Sequence, residues 1–264
     1  RIRINGSELR CRVVGEGGNL GMTQLGRVEA ARHGVMLNTD AIDNSAGVDT
    51  SDHEVNIKIL LDGLVRQGEL PADERNDLLA SMTDVIAEQV LEDNYGQNVV
   101  LGNARAGATN RITVHQRMIR ELERLGLRDR AIEFLPDDEE LRTRRLAGEG
   151  LTSPELAILL AYSKIWLTKE LNDSGVADEP FFASAVMSYF PPELAERFGE
   201  ALNAHPLRSQ IISTVTCNSL LNIAGITFVF RAMEETGASA VEVVLAASAA
   251  IEIFDIAGIW QRIN

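Results

Sequence analysis

Two short stretches carry side chains suited to recognising a small polar ligand. They are Glu16-Gly17-Gly18-Asn19 and, 25 residues on from Asn19, the run Asn44-Ser45-Ala46-Gly47-Val48-Asp49-Thr50-Ser51. Gly17 and Gly18 lack a Cβ, so a flat or charged ligand can approach the backbone closely there. Each asparagine side chain offers one acceptor and two donors, which match an amide group head to head. Ser51, read at a helix start, can donate a hydrogen bond to a carboxylate that the positive end of the helix dipole also favours. Plainer roles stay open for all of them. Asparagine is a common turn residue, and Ser51-Asp52-His53-Glu54 has the form of a capping box, in which the serine contributes about 0.5–2 kcal/mol to stability and no chemistry.

The elements that must position these residues are short at the front of the chain. Residues 2–14 fit a β-hairpin, Ile2 to Ile4 and then Leu9 to Val14, turning at Asn5-Gly6. Val13-Val14 gives way to the glycine loop. Thr23 caps a short helix bearing Leu25 and Val28, Gly34 stops it, and Val35-Met36-Leu37 follows as a second apolar run. Strand, loop, helix, strand is half of a parallel α/β unit. Crevices outside the carboxyl ends of such strands are where dinucleotides bind, and an asparagine there suits a nicotinamide carboxamide.

Everything beyond reads as helix. The Ser51 box opens one with Val55, Ile59, Leu60, Leu61, Leu64 and Val65 on its apolar face, stopped by Gly68. Leu78, Met82, Val85/Ile86 and Val90 recur at helical spacing before Asn94-Tyr95-Gly96, as do Val114, Met118, Leu122 and Leu125 before Gly126. Pro136 and the acidic residues 137–140 open a charged, solvated helix, and Gly148 to Gly150 forms a hinge or turn. Ser153-Pro154-Glu155 is a helix start with Ser153 as cap and Pro154 in the first turn. Pro191-Pro192 splits a helix pair, residues 206–236 form one long helix, and Ser239 caps a last helix that is still running at Asn264. The fold class expected is mainly α: a partial Rossmann-like α/β segment over about residues 1–50, then an all-helical region. The composition shift puts a domain boundary near residue 60, giving residues 1–60 and 61–264.

Charge and composition narrow the partners. A net charge of −14 argues against nucleic acid, whose phosphates would be repelled. The most apolar run, residues 240–259, is interrupted by Glu242, Glu252 and Asp255, too charged for a membrane span. Cys11 and Cys217 lie far apart with no cysteine or histidine cluster, which suits two reduced thiols in a cytoplasmic protein. His33, His53, His115 and His205 have no metal-ligand spacing, so no metal site is expected. His53, beside Asp52 and Glu54, is either a group titrating near neutrality or an exposed first-turn residue. Asn98, Asn103, Arg105, Asn110 and Arg111 make residues 98–111 unusually polar for a helix, facing either a groove or solvent. The opening Arg1-Ile2-Arg3-Ile4 has no signal-peptide core, and the chain reads as one entered partway through and cut at both ends.

The segment Val13-Val14-Gly15-Glu16-Gly17-Gly18-Asn19, then residues 38–48 from Asn38-Thr39-Asp40 through Asn44-Ser45-Ala46-Gly47-Val48, then Ser51 and Glu54, resembles the closing part of the nucleotide-binding domain of glutamate dehydrogenases. Residues 15–61, about a fifth of the chain, look closest to the large bacterial NAD-specific enzymes, whose subunits end in a helical C-terminal domain. The resemblance implies oxidative deamination of L-glutamate to 2-oxoglutarate and ammonium with NAD as cofactor, in amino-acid catabolism. It implies that Gly17, Gly18, Asn19 and Asn44 approach the nicotinamide half of NAD and that Ser51 helps to hold the distal carboxylate of glutamate. A homo-oligomer is expected. Ala46 stands where the family has Gly, Gly18 where it has Ala, and Asp52-His53 where it has an aromatic pair. The phosphate-binding glycine loop and the lysine and aspartate of substrate binding and proton transfer have no counterpart here. No catalytic residue is therefore assigned in this chain, and by itself it is expected to turn over no glutamate, which an assay of the isolated 264 residues checks. The alternative reading, a helical oligomerisation or regulatory module without enzyme activity, uses the same helices.

Overall fold

The structure, a computed structural model, describes residues 3–127 and 129–263. In chain order these form α1 (Gln24–Arg32), α2 (Asp40–Asp43), α3 (Ser45–Gln67), α4 (Glu74–Ser81), α5 (Thr83–Ala106), α6 (Ile112–Arg124), α7 (Asp138–Leu146), α8 (Ser153–Ser174), α9 (Ala183–Tyr189), α10 (Pro192–Asn203), α11 (Arg208–Ala224), α12 (Phe228–Thr236), α13 (Ala240–Ile253) and α14 (Ile256–Ile263). The chain is mainly α, as its periodicity predicts. Two compact units divide it. One comprises Arg1–Asn44, Gly96–Leu167 and Leu220–Asn264, and the other Ser45–Tyr95 and Thr168–Ser219.

In the first unit the two predicted strands pair at one position. Val13 and Met36 form an isolated parallel bridge, with Val14 N–H donating to Met36 O (3.0 Å) and Met36 N–H to Arg12 O (2.9 Å). No strand exists among the described residues, because the two runs have only each other, and a lone pair without further strands is marginal. Behind the bridge Ala30, Val35 and Leu37 form a buried cluster against Leu9, Val14, Met22 and Ala31.

The hairpin expected at Asn5-Gly6 is replaced by a 3₁₀ turn over Gly6–Glu8; the Ile2 end of that expectation lies outside the described residues. The turn docks on α1. Glu29 accepts from Gly6 N–H (2.9 Å) and Ser7 Oγ (2.7 Å), and a Cβ at Gly6 would stand 2.4 Å from Gly26 O. The rest of this unit is helical, with Ile119, Leu122, Leu156, Leu160 and Val244 among its buried residues.

Gly148-Glu149-Gly150 is a turn. Gly148 has φ +72°, and Gly150 lies so close to the 108–109 backbone that a Cβ would meet Ala108 C at 2.5 Å and Thr109 N at 2.6 Å. Neither neighbour is a side chain that can swing away. Gly150→Ala is therefore expected to cost about 1–3 kcal/mol by forcing backbone apart, read as a lower urea midpoint at unchanged m-value.

Several helix boundaries differ from expectation. The last helix breaks at Phe254-Asp255 into α13 and α14, and the helix expected over Leu78 to Val90 breaks at Met82 into α4 and α5, the latter running past Asn94-Tyr95-Gly96 to Ala106. Thr152, not Ser153, caps α8: its carbonyl accepts from Leu156 N–H (2.9 Å), and its own N–H and hydroxyl donate to Glu155 Oε2 at 2.7 and 2.8 Å. The long helix over 206–236 breaks at Gly225, φ +90°, into α11 and α12. The helix bearing Ser51 starts earlier, at Ser45. Elsewhere the expected caps hold: Thr23 accepts from Gly26 N–H at 3.1 Å, and Ser239 with Glu242 forms a capping box. No single helix among the described residues is long and apolar enough to cross a membrane.

In the second unit α3 buries Ile57, Leu60, Leu61 and Leu64, and α10 packs on α3 and α9. Val55, expected on the apolar face, is exposed.

Candidate functional site

The first unit builds its site on residues 15–22, the loop after the Val13–Met36 bridge. A buried ion pair fixes it. Arg27, from α1, donates Nε to Glu16 Oε1 (2.6 Å) and Nη2 to Glu16 Oε2 (2.9 Å), both side chains being almost wholly buried. Glu16 Oε2 also accepts from Met22 N–H (2.9 Å), closing the loop on itself. Hydrogen bonding to Glu16, acting against burial, raises the Arg27 pKa above its ordinary value.

Two aspartates of α2 hold the other side of the loop. Asp40 accepts from Leu20 N–H (2.8 Å) and lies 3.0 Å from Arg27 Nη2; Asp43 accepts from Glu16 N–H (3.0 Å) and Asn38 Nδ2 (3.2 Å). Burial acts against the Asp40 charge, but the Leu20 bond and the Arg27 charge outweigh it and keep its pKa below the usual carboxylate value.

With the loop clamped, Gly17 and Gly18 are exposed, and a Cβ on either would meet nothing within 4 Å. Asn44, at the end of α2, donates Nδ2 to Asn19 Oδ1 at 3.3 Å. The structure thus brings together four of the five residues singled out from sequence. The asparagine pair leaves the Asn19 Nδ2 donors and the Asn44 Oδ1 acceptor for a third amide, the complement of a carboxamide. A nicotinamide fits this chemistry.

Ser51 belongs to the second unit. It is not a cap: it sits six residues inside α3, exposed, with Oγ donating weakly to Gly47 O at 3.4 Å. The helix begins at Ser45 because none of residues 46–50 interrupts it, so the dipole argument for Ser51 lapses. Glu54, the expected partner in the box, pairs with Lys58 instead. Two residues on from Ser51, His53 is buried rather than exposed and stacks on Tyr189, with ring centroids 4.3 Å apart. Burial lowers the His53 pKa against the opposing pull of Asp93 and Asp52, and burial pushes Tyr189 up to about 12 against a 2.8 Å hydrogen bond from Asn56 Nδ2. Donor atoms of Asp49, His53 and Asp93 lie within 4.8 Å of one another, a grouping that linear spacing hides because Asp93 comes from α5.

Sequence reasoning missed Arg27, Asp40 and Asp43, the residues that shape the loop. The available signal was charge: Glu16 is the one acid in a run of small residues, and it has to find a partner once the loop is covered.

Residues 1–104 match the family model described as bacterial NAD-glutamate dehydrogenase, catalytic domain, and residues 148–264 match that described as glutamate dehydrogenase, C-terminal. The chain is 47% identical over 263 residues to the NAD-specific glutamate dehydrogenase of Mycobacterium tuberculosis, covering 100% of this chain and 16% of the relative. Against that of Pseudomonas aeruginosa it is 51% identical over 242 residues, 92% of this chain and 15% of the relative. Against that of Halomonas elongata it is 47% identical over 263 residues, again 100% and 16%. It therefore spans about one-sixth of the length of the curated relatives it matches. With two glutamate dehydrogenase models matched in succession and near half-identity along its length, the chain is similar to one segment of the bacterial NAD-specific glutamate dehydrogenases.

Proposed function

We propose that this chain supplies the nicotinamide side of the NAD site in a glutamate dehydrogenase that converts L-glutamate to 2-oxoglutarate and ammonium. The observation that carries the reading is the Asn19–Asn44 hydrogen bond on an exposed, clamped glycine loop beyond a parallel bridge. In this reading residues 1–60 close a catalytic domain of Rossmann-like α/β type, and residues 61–264 form the helical C-terminal domain. The far greater length of the relatives supports placing the remaining strands and the residues of proton transfer outside this chain.

NAD, with its nicotinamide held at Gly17, Gly18, Asn19 and Asn44, would supply the acceptor for the hydride of the substrate's α-carbon. The chain's own residues position it. Gly17 and Gly18 keep the loop surface free of side chains, Asn19 and Asn44 orient the carboxamide, and the Ser51 hydroxyl donates to the distal carboxylate of glutamate.

In the complete subunit, Asn44→Ala is expected to raise the KM for NAD about tenfold, one lost amide contact or about 1.4 kcal/mol. Ser51→Ala is expected to raise the KM for glutamate with kcat nearly unchanged. Steady-state kinetics with each substrate varied separately checks both, and unchanged values in both variants would overturn the assignment.

A further inference from the structure

Two members of the polar run over residues 98–111, Asn103 and Arg111, line a cavity inside the first unit that the nicotinamide half-site does not use. The cavity has a volume of about 160 Å³ and is lined by Asn103, Ala104 and Val100 from α5, Arg111 and His115 beside and on α6, and residues 222–227 where α11 breaks into α12. That is several times the ~30 Å³ share of one water molecule.

Two polar atoms in this lining have no partner. The amide oxygen of Asn222 and Nδ1 of His115 are both buried and unbonded, and His115 is 1% exposed. An unpaired buried polar atom costs about 1–3 kcal/mol. Arg111 lies exposed and makes no ion pair among the described residues. Burial, with the charge of Arg111 second, pushes His115 down to about 4. Its ring is neutral near pH 7, which leaves Arg111 as the one charged side chain in the lining. With the ring proton on Nε2, Nδ1 is an acceptor. Val100, Ala104 and Ile226 supply a buried apolar wall.

We propose that this cavity binds a small aliphatic α-amino acid, its carboxylate on Arg111, its ammonium on the amide oxygen of Asn222 and its side chain against Val100, Ala104 and Ile226. Arg111 offers the lining's one cation and Asn222 and His115 its two orphaned acceptors, and an α-amino acid carries an anion and a donor on one carbon. A simple carboxylate satisfies Arg111 and leaves Asn222 unpaired. A second acidic group finds no second cation in the lining. None of Gly17, Gly18, Asn19, Asn44 and Ser51 belongs to the cavity, so the proposal stands apart from the NAD reading.

Isothermal titration of the complete subunit with L-valine, 2-hydroxyisovalerate and isovalerate separates the contacts, since the three differ only in the donor beside the carboxylate. Saturable L-valine binding is expected, with isovalerate weaker. Arg111→Met should weaken L-valine at least tenfold. Asn222→Leu should weaken L-valine about tenfold and leave isovalerate unchanged, a split that a merely structural role does not produce. No saturable binding of L-valine, or equal losses for L-valine and isovalerate in Asn222→Leu, would overturn the proposal. Should Asn222→Leu lower the unfolding midpoint, Arg111→Met at its exposed position decides alone, and unchanged L-valine affinity there refutes the site.

Discussion

Arg27→Met is expected to lower the stability of the chain by about 3–5 kcal/mol and, in the complete subunit, to abolish NAD binding. Both effects come from one geometry. Arg27 is 6% exposed and meets a Glu16 side chain that is 4% exposed, so removing the guanidinium strands a carboxylate away from water with only the Met22 N–H to answer it. Asp40 loses the same partner. Methionine conserves much of the bulk, which makes the loss electrostatic rather than a packing defect. The double variant Glu16→Leu/Arg27→Met separates stability from function. Replacing a buried pair by apolar side chains of similar volume is often neutral, or stabilising by about 1–4 kcal/mol. It should therefore recover most of the folding free energy, but not cofactor binding, because Glu16 also ties Met22 N–H into the loop. Urea unfolding with an NAD titration checks the pair, and a single-variant loss below about 1 kcal/mol would mean that the loop is held by Asp40 and Asp43 alone.

Glu155→Ala is the second large effect expected, about 3–5 kcal/mol, with no active-site consequence needed to explain it. Glu155 is fully buried in the first turn of α8. It accepts two hydrogen bonds of 2.9 Å from Arg144 and the two from Thr152 that cap the helix. Alanine leaves Arg144, itself 4% exposed, with Glu140 as its remaining partner, and removes the cap as well. Burial works to lower the Arg144 pKa, but the bonds and charge of Glu155 and Glu140 outweigh it and hold it raised. With Glu155 gone the guanidinium still keeps its charge, as arginine does in proteins, and cannot escape by deprotonation. Glu155→Gln keeps an acceptor for Thr152 and should lose about half as much, since hydrogen bonds to charged groups are worth about 1.5–3 kcal/mol each. Thermal unfolding of the two variants side by side checks the order. Equal losses would place the effect in the cap rather than in the ion pair.

The sequence by itself determined whatever depends on neighbours within a few residues. Thr23, Asp137 and Ser239 cap the helices they precede. Gly34, Gly68, Gly126 and Gly237 stand at helix ends with positive φ, where the side chains of other residues are disfavoured. Read alone, Gly17-Gly18-Asn19 and Asn44 left the turn reading open, and the resemblance of their order and interval to the glutamate dehydrogenases is what pointed to a nicotinamide half-site.

Other features were decided by the tertiary structure. Whether Ser51 caps a helix depended on residues 45–50, whose side chains permit helix without demanding it, and the helix took them in. Gly6 came to lie against α1 and Gly150 against the 108–109 backbone, and neither approach is encoded near the glycine in sequence. Glu16 finds Arg27 11 residues away and Asp43 27 residues away, and Asn222 meets a cavity shared with a histidine more than a hundred residues before it. Local pattern reports backbone preference, which acts over one helical turn. The partners of buried charges and orphaned amides are set by which surfaces the packed helices exclude from water, a property no single stretch of this chain possesses.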